Sequence, residues 1–104
     1  MVEEQTASKS DVLGTNCQQI PYIGLEEVGK IFKEGEIKYG RGNWKSNPTP
    51  EFRAERLEHA IRHLMLWANG DREENHLAKV AWFCLTEIYH ISTRGDVLRD
   101  AKNT

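Results

Sequence analysis

Three groups of residues in this 104-residue chain combine side-chain types and spacings that can do chemistry. His76, Lys79, Phe83, Glu87 and His90 recur at steps of three and four, which a helix brings round to one flank. Imidazoles, a carboxylate and an ammonium on one flank can bind a cation, move a proton or hold an anion. Such a flank on an otherwise apolar helix is tolerated only where it is paired, hydrated or occupied by a ligand. It reads equally well as the hydrated edge of the helix. Upstream, Glu55, Glu58, His59 and Arg62 take the face opposite Leu57, Ile61, Leu64 and Ala68. There Glu58 and Arg62 read as an ordinary exposed i,i+4 pair contributing about 0.3–0.5 kcal/mol. His63 falls at the border between the two faces, one turn before Trp67. An imidazole at such a border serves as a metal ligand, a phosphate donor or a hydrogen-bonded structural residue. The third group is the run Lys38, Tyr39, Arg41, Asn43, Trp44 and Lys45. It offers cations for phosphate, an amide for a base or sugar edge, and rings for stacking. The same composition also suits a loop that caps one helix and anchors itself to the next.

Helices must position these groups. Leu25, Val28, Ile31, Phe32 and Tyr39 follow helical spacing after an opening turn at Pro21 and Gly24, and charged residues fill most positions between them. Gly40 and Gly42 supply the left-handed backbone that ends such a helix, so Tyr39 to Trp44 reads as a structured loop. Thr49, Pro50 and Glu51 match an N-cap, a proline at the first helical position and an acid in the first turn. The helix they open carries Leu57, Ala60, Ile61, Leu64, Trp67 and Ala68 as its expected core stripe and stops at Asn69-Gly70. Asp71, three residues before Glu74, resembles a capping box and predicts a third helix to about Ser92, ended by Gly95. Leu77, Val80, Ala81, Cys84, Ile88 and Ile91 line one side of it, with a second apolar strip at Ala78, Trp82, Leu85 and Tyr89. That is wider than one packing partner needs and predicts burial on two sides, hence a homodimer or homotetramer. A short turn of helix is expected between Asp96 and Ala101.

The expected fold class is therefore all-α, with three principal helices forming a bundle completed by oligomerisation, in a single domain over residues 21–104 preceded by a polar, flexible arm over 1–20. The net charge of −2 provides no broad cationic field for duplex nucleic acid. Cys17 and Cys84 form neither a CxxC motif nor a disulfide framework, and no apolar run suits export or membrane insertion; a cytoplasmic location, in the host if the chain is phage-encoded, is the expectation.

Lys38-Tyr39-Gly40, Asn43-Trp44, Arg62-His63-Leu64, Trp67, Gly70-Asp71, Glu74, His76-Leu77-Ala78 and Ala81-Trp82 follow one another in an order that resembles the phage and bacterial dATP/dGTP diphosphohydrolase family, grouped with the MazG-like all-α nucleoside triphosphate pyrophosphohydrolases. The similarity covers about Gly24 to Ile91. It implies cleavage of a deoxynucleoside triphosphate to monophosphate and pyrophosphate, with Mg²⁺ or Mn²⁺ held by acidic residues in an oligomer. On that resemblance Glu58, Asp71, Glu74 and Glu87 are the candidate metal ligands, and His63, Glu74 and His76 the candidate catalytic groups. Lys38, Arg41 and Arg62 would hold phosphates, with Tyr39, Asn43 and Trp44 on the nucleoside. The chain departs from the pattern at Lys30, where the third acid of an acidic motif would stand, and at Asn75, Lys79 and Phe83, where relatives carry an acid, a histidine and an asparagine. Fewer oxygen ligands weaken metal binding, which keeps open a non-catalytic nucleotide-binding or regulatory phage protein, and beyond it a plain helical interaction module.

Overall fold

The structure is a computed structural model and describes residues 14–102; the segment read as a flexible arm lies mostly outside the described residues. It is all-α. Among the described residues four helices follow in order: α1 (Tyr22–Tyr39), α2 (Pro50–Ala68), α3 (His76–Arg94) and the short α4 (Val97–Lys102). Single 3-10 turns at Cys17–Gln19 and Asn43–Lys45 punctuate the connections. α3 packs against both α2 and α1, and α4 returns onto α2.

The helix boundaries follow from local chemistry. Thr49 Oγ1 accepts the Phe52 N–H at 3.1 Å and Pro50 takes the first helical position, so α2 opens where cap and proline require. α1 opens at Tyr22, directly after Pro21, whose fixed φ of −63° leads into the first turn; Gly24 lies inside the helix rather than before it. At its far end Gly40, at φ 101°, returns its N–H to the Glu36 carbonyl, and Gly42, at φ 75°, turns the chain into Asn43–Lys45. α3 starts later than the capping-box spacing predicts. Asn75 is its N-cap and accepts the Ala78 N–H at 3.0 Å, whereas Asp71 accepts the Glu73 N–H and closes a turn ahead of the helix.

Burial reverses the expected faces of α3, while Glu55, Glu58, His59 and Arg62 of α2 are exposed as expected. The small apolar core is Val28, Ala60 and Ala78, while Arg53, His76, Thr86, Glu87 and His90 are all buried, His90 completely. The polar flank of α3 therefore faces inward. The stripes read as core face outward: Ile61, Leu64 and Trp67 on α2 and Leu77, Cys84, Ile88 and Ile91 on α3 are exposed, and only Ala60 of the predicted α2 stripe is buried. The reversal is sustained by pairing. Arg53 Nε donates to Glu87 Oε2 at 2.9 Å, its Nη2 reaches the same oxygen, and its Nη1 reaches the Gly95 carbonyl. Arg94 donates to His90 Nδ1 and to the Lys45 carbonyl, each at 2.9 Å, which ties the loop after α1 to the end of α3. Buried charge is tolerated only when paired and hydrogen-bonded in this way. No helix among the described residues is long and apolar enough to cross a membrane.

Candidate functional site

A cleft of about 870 Å³ runs between the second half of α1, the loop after it, and the facing sides of α2 and α3. That size suits a nucleotide-sized ligand. Glu36, Lys38, Tyr39, Arg41, Asn43 and Trp44 line it from the α1 side; Arg56, His59 and His63 do so from α2; Lys79, Trp82 and Phe83 do so from α3. The α2 residues recur at three, four and seven, which is why one helix face presents all of them. The loop keeps its shape through its rings: Trp44 meets Phe32 and Tyr89 edge-on at centroid distances of 5.6 and 5.1 Å. Trp44 is thus half-buried and serves as the anchor of the loop. Tyr39, 69% exposed, lies at the cleft rim.

At His63 and Lys79 the cleft meets the start of α3. There His63, Glu74 and His76 bring one ligand atom each to within 4.8 Å of one another. The two Nδ1 atoms lie 2.9 Å apart, and His76 Nε2 contacts Asp71 Oδ1 at 2.7 Å. The carboxylate holds the proton on His76 Nε2, leaving His76 Nδ1 as a lone pair that faces His63. Lys79 donates to Glu74 Oε1, and that hydrogen bond holds the Glu74 carboxyl below its ordinary range. Asp71 is held low as well, first by its hydrogen bond to His76 and then by the Glu73 N–H. Burial pushes the His63 imidazole down, and nearby Lys79 adds to that, although Glu74 works the other way. His63 is thereby neutral near pH 7 and carries a lone pair. One step outward, Asn75 donates to Glu27 Oε1 at 3.0 Å, and Glu27 also pairs with Lys30.

Several assignments change. Asp71 orients His76. Glu87 is committed to Arg53 and stands three turns beyond His76, about 16 Å along the helix axis. Glu58 is exposed on the outer side of α2, and Arg62 is exposed and does not line the cleft, because six residues after Arg56 the helix presents a different face. Lys38, Tyr39, Arg41, Asn43 and Trp44 do share the cleft with His63. Arg56, His59 and Lys79 are cleft residues that the motif order passes over. The i, i+3, i+7 spacing of Arg56, His59 and His63 was the available signal.

A family model described as dATP/dGTP diphosphohydrolase, N-terminal, matches residues 4–99. The chain belongs to that family. Its function is accordingly related to that of the dATP/dGTP diphosphohydrolases, whose N-terminal part the match describes. No curated protein and no solved structure matches the chain.

Proposed function

We propose that this member of the dATP/dGTP diphosphohydrolase family hydrolyses a deoxynucleoside triphosphate to the monophosphate and pyrophosphate, binding it in the cleft. The observation that carries the reading is that one cleft joins the Lys38 to Trp44 segment to the His63, Glu74 and His76 cluster. Tyr39 and Asn43 take the nucleoside at the rim, and Lys38 and Arg41 hold phosphate oxygens. Water then bonds to the α-phosphorus, the bond to the bridging oxygen of the β-phosphate breaks, and pyrophosphate leaves. The proton lost by the water goes to the free carboxylate oxygen of Glu74, while the neutral His63 imidazole keeps its lone pair for a cation.

Two imidazole nitrogens and one carboxylate oxygen form a donor set for a divalent cation. The 2.9 Å between the nitrogens suits neighbouring positions on an ion with metal–nitrogen bonds of about 2.1 Å. Imidazoles favour Mn²⁺ or a later first-row ion over Mg²⁺, which prefers oxygen throughout. Such an ion, when bound, would absorb charge on the phosphate oxygens. Asp71 fixes the ring of His76, and Lys79 neutralises Glu74 until the cation competes for it.

The reading is tested by incubating the protein with each deoxynucleoside and ribonucleoside triphosphate, with Mg²⁺ or Mn²⁺, and assaying pyrophosphate. Turnover is expected with at least one purine deoxynucleotide, faster with Mn²⁺, and is abolished in His63→Ala and Glu74→Ala with helicity unchanged. Unaltered rates in both variants would reject the site. A second reading, a binder without turnover, is favoured by Phe83, whose ring lines the cleft at a position where the resemblance implies an amide. It predicts a nucleotide-dependent rise in Tm with no pyrophosphate released.

A further inference from the structure

The cleft contains a cation that the residues around it do not satisfy. Arg56 packs on two aromatic rings, its guanidinium carbon 4.5 Å from the centroid of Phe52 and 5.3 Å from that of Trp82. It makes no hydrogen bond to any described residue, and its Nη1 is enclosed without a partner. The other enclosed, unpartnered side-chain atom among the described residues is His90 Nε2, which must carry the proton because Nδ1 accepts from Arg94. Arg56 and Arg53 both bear on His90, as Arg94 does, and Glu87 is the carboxylate that offsets them. Arg53 occupies Glu87 through two of its nitrogens. The interior behind the cleft thus holds three guanidinium groups to one carboxylate, with donors left over.

A guanidinium taken partly out of water without a hydrogen-bond partner is costly, and burial accordingly works against its charged form, with Glu87 working the other way and Arg53 adding to the effect of burial. Ring faces offset part of that cost without using any N–H, so stacking fixes the plane of the guanidinium and leaves its donors for another group. Planar guanidinium donors match the paired oxygens of phosphate. On α2, Arg56 and His63 are separated by seven residues on the same face, about 10 Å along the axis, with His59 between them. An elongated anion along that face would reach from Arg56 toward the histidine cluster.

We infer that Arg56 holds the polyphosphate alongside Lys38 and Arg41, in an oxyanion site built from a guanidinium packed on Phe52 and Trp82. This deepens the proposed hydrolase reading and supplies the phosphate contact that Arg62, facing outward, does not. The ligand class is a di- or triphosphate chain, and the site acts on free inorganic pyrophosphate as it does on the same group in a nucleotide.

The experiment is calorimetric titration of the full chain with inorganic pyrophosphate, with chelator present and no divalent cation. Wild type is compared with Arg56→Met, which keeps a flexible apolar stem on the two rings, and with Lys33→Gln, which removes an exposed charge from α1. The wild type is expected to bind and the Met variant to bind at least tenfold more weakly, while Lys33→Gln stays within twofold of wild type. Should the Met variant fail to fold, Arg56→Gln carries the same comparison. Equal affinity in a folded Arg56 variant, an equal loss in Lys33→Gln, or no binding by the wild type at millimolar pyrophosphate overturns the inference. Triphosphate turnover is assayed in parallel. Wild-type turnover with an unchanged KM in the Arg56 variant refutes the role of Arg56 while the hydrolase stands; pyrophosphate binding through Arg56 without turnover refutes the hydrolase while the anion site stands.

Discussion

At the scale of single residues, the division of labour between Asp71 and His76 is the most exacting feature of the site. Asp71 touches the nitrogen of His76 that points away from His63, so it acts through the ring it orients. Asp71→Asn keeps the shape of the side chain but removes the charge that holds the proton on Nε2. Mn²⁺ affinity, measured by calorimetry, is expected to fall about 10- to 100-fold in this variant, while the Tm without metal changes little. His90 sets a different test. Its pKa lies below the ordinary histidine value because it is buried, and Arg94, Arg53 and Arg56 add to that, with Glu87 opposing them. The unfolded chain takes up this proton near pH 6.5, and the folded chain resists it. Stability is therefore fully present above about pH 6.5 and declines as pH falls toward the lower folded pKa. Thermal scans from pH 7.5 to 5.5 should show a falling Tm, with a shallower fall in His90→Gln. His63, also shifted down, contributes in the same direction. Residue types and order were enough to single out His63, Glu74, His76 and the Lys38 to Trp44 run. They could not separate ligands from supports: Asp71, Glu74 and Glu87 are alike as carboxylates, and only their partners in space distinguish one facing His63, one orienting His76 and one spent on Arg53.

Among the elements, α2 was legible almost to the residue, since Thr49-Pro50 and Asn69-Gly70 are local signals that need no tertiary help. The start of α3 was not, because Asp71 and Asn75 are both competent caps and the sequence does not show which carboxylate or amide has other work. His76 takes up Asp71, and the cap falls to Asn75, which serves twice: its oxygen accepts from Ala78 and its amide nitrogen reaches Glu27 on α1. Asn75→Ala should cost about 1 kcal/mol as a lost cap. It also releases Glu27, so the loss measured by denaturant titration is expected to exceed that of Thr49→Ala, where only one N–H is at stake. The faces of α3 are the reverse of those its periodicity suggests, whereas on α2 the polar arc Glu55, Glu58, His59 and Arg62 is exposed as expected and Ile61, Leu64 and Trp67 are exposed as well. Periodicity finds the two sides of an amphipathic helix, but it assumes that the apolar side meets its own chain. On α3 the polar side does, because Glu87 is paired with Arg53 of α2 and His90 Nδ1 accepts from Arg94.

For the molecule as a whole, that orientation leaves large apolar side chains on the outside: Leu64 is 45% exposed, Leu85 47% and Ile88 59%, on helices that are already packed together within the chain. Large apolar side chains exposed on packed helices are what a self-associating helical protein presents. Ile88→Glu is expected to lower the sedimentation mass and the Tm together, while an exposed charge change such as Lys33→Gln alters neither; an unchanged mass in Ile88→Glu would leave those side chains exposed in solution. The aromatic wall of the cleft gives the protein an intrinsic optical reporter. Two of its three indoles, Trp44 and Trp82, line that space, whereas Trp67 lies outside the lining beneath Arg72. Replacing Trp67 by Phe would leave emission arising solely from the walls, so occupancy becomes readable as fluorescence quenching, without a label and before any bond is cleaved.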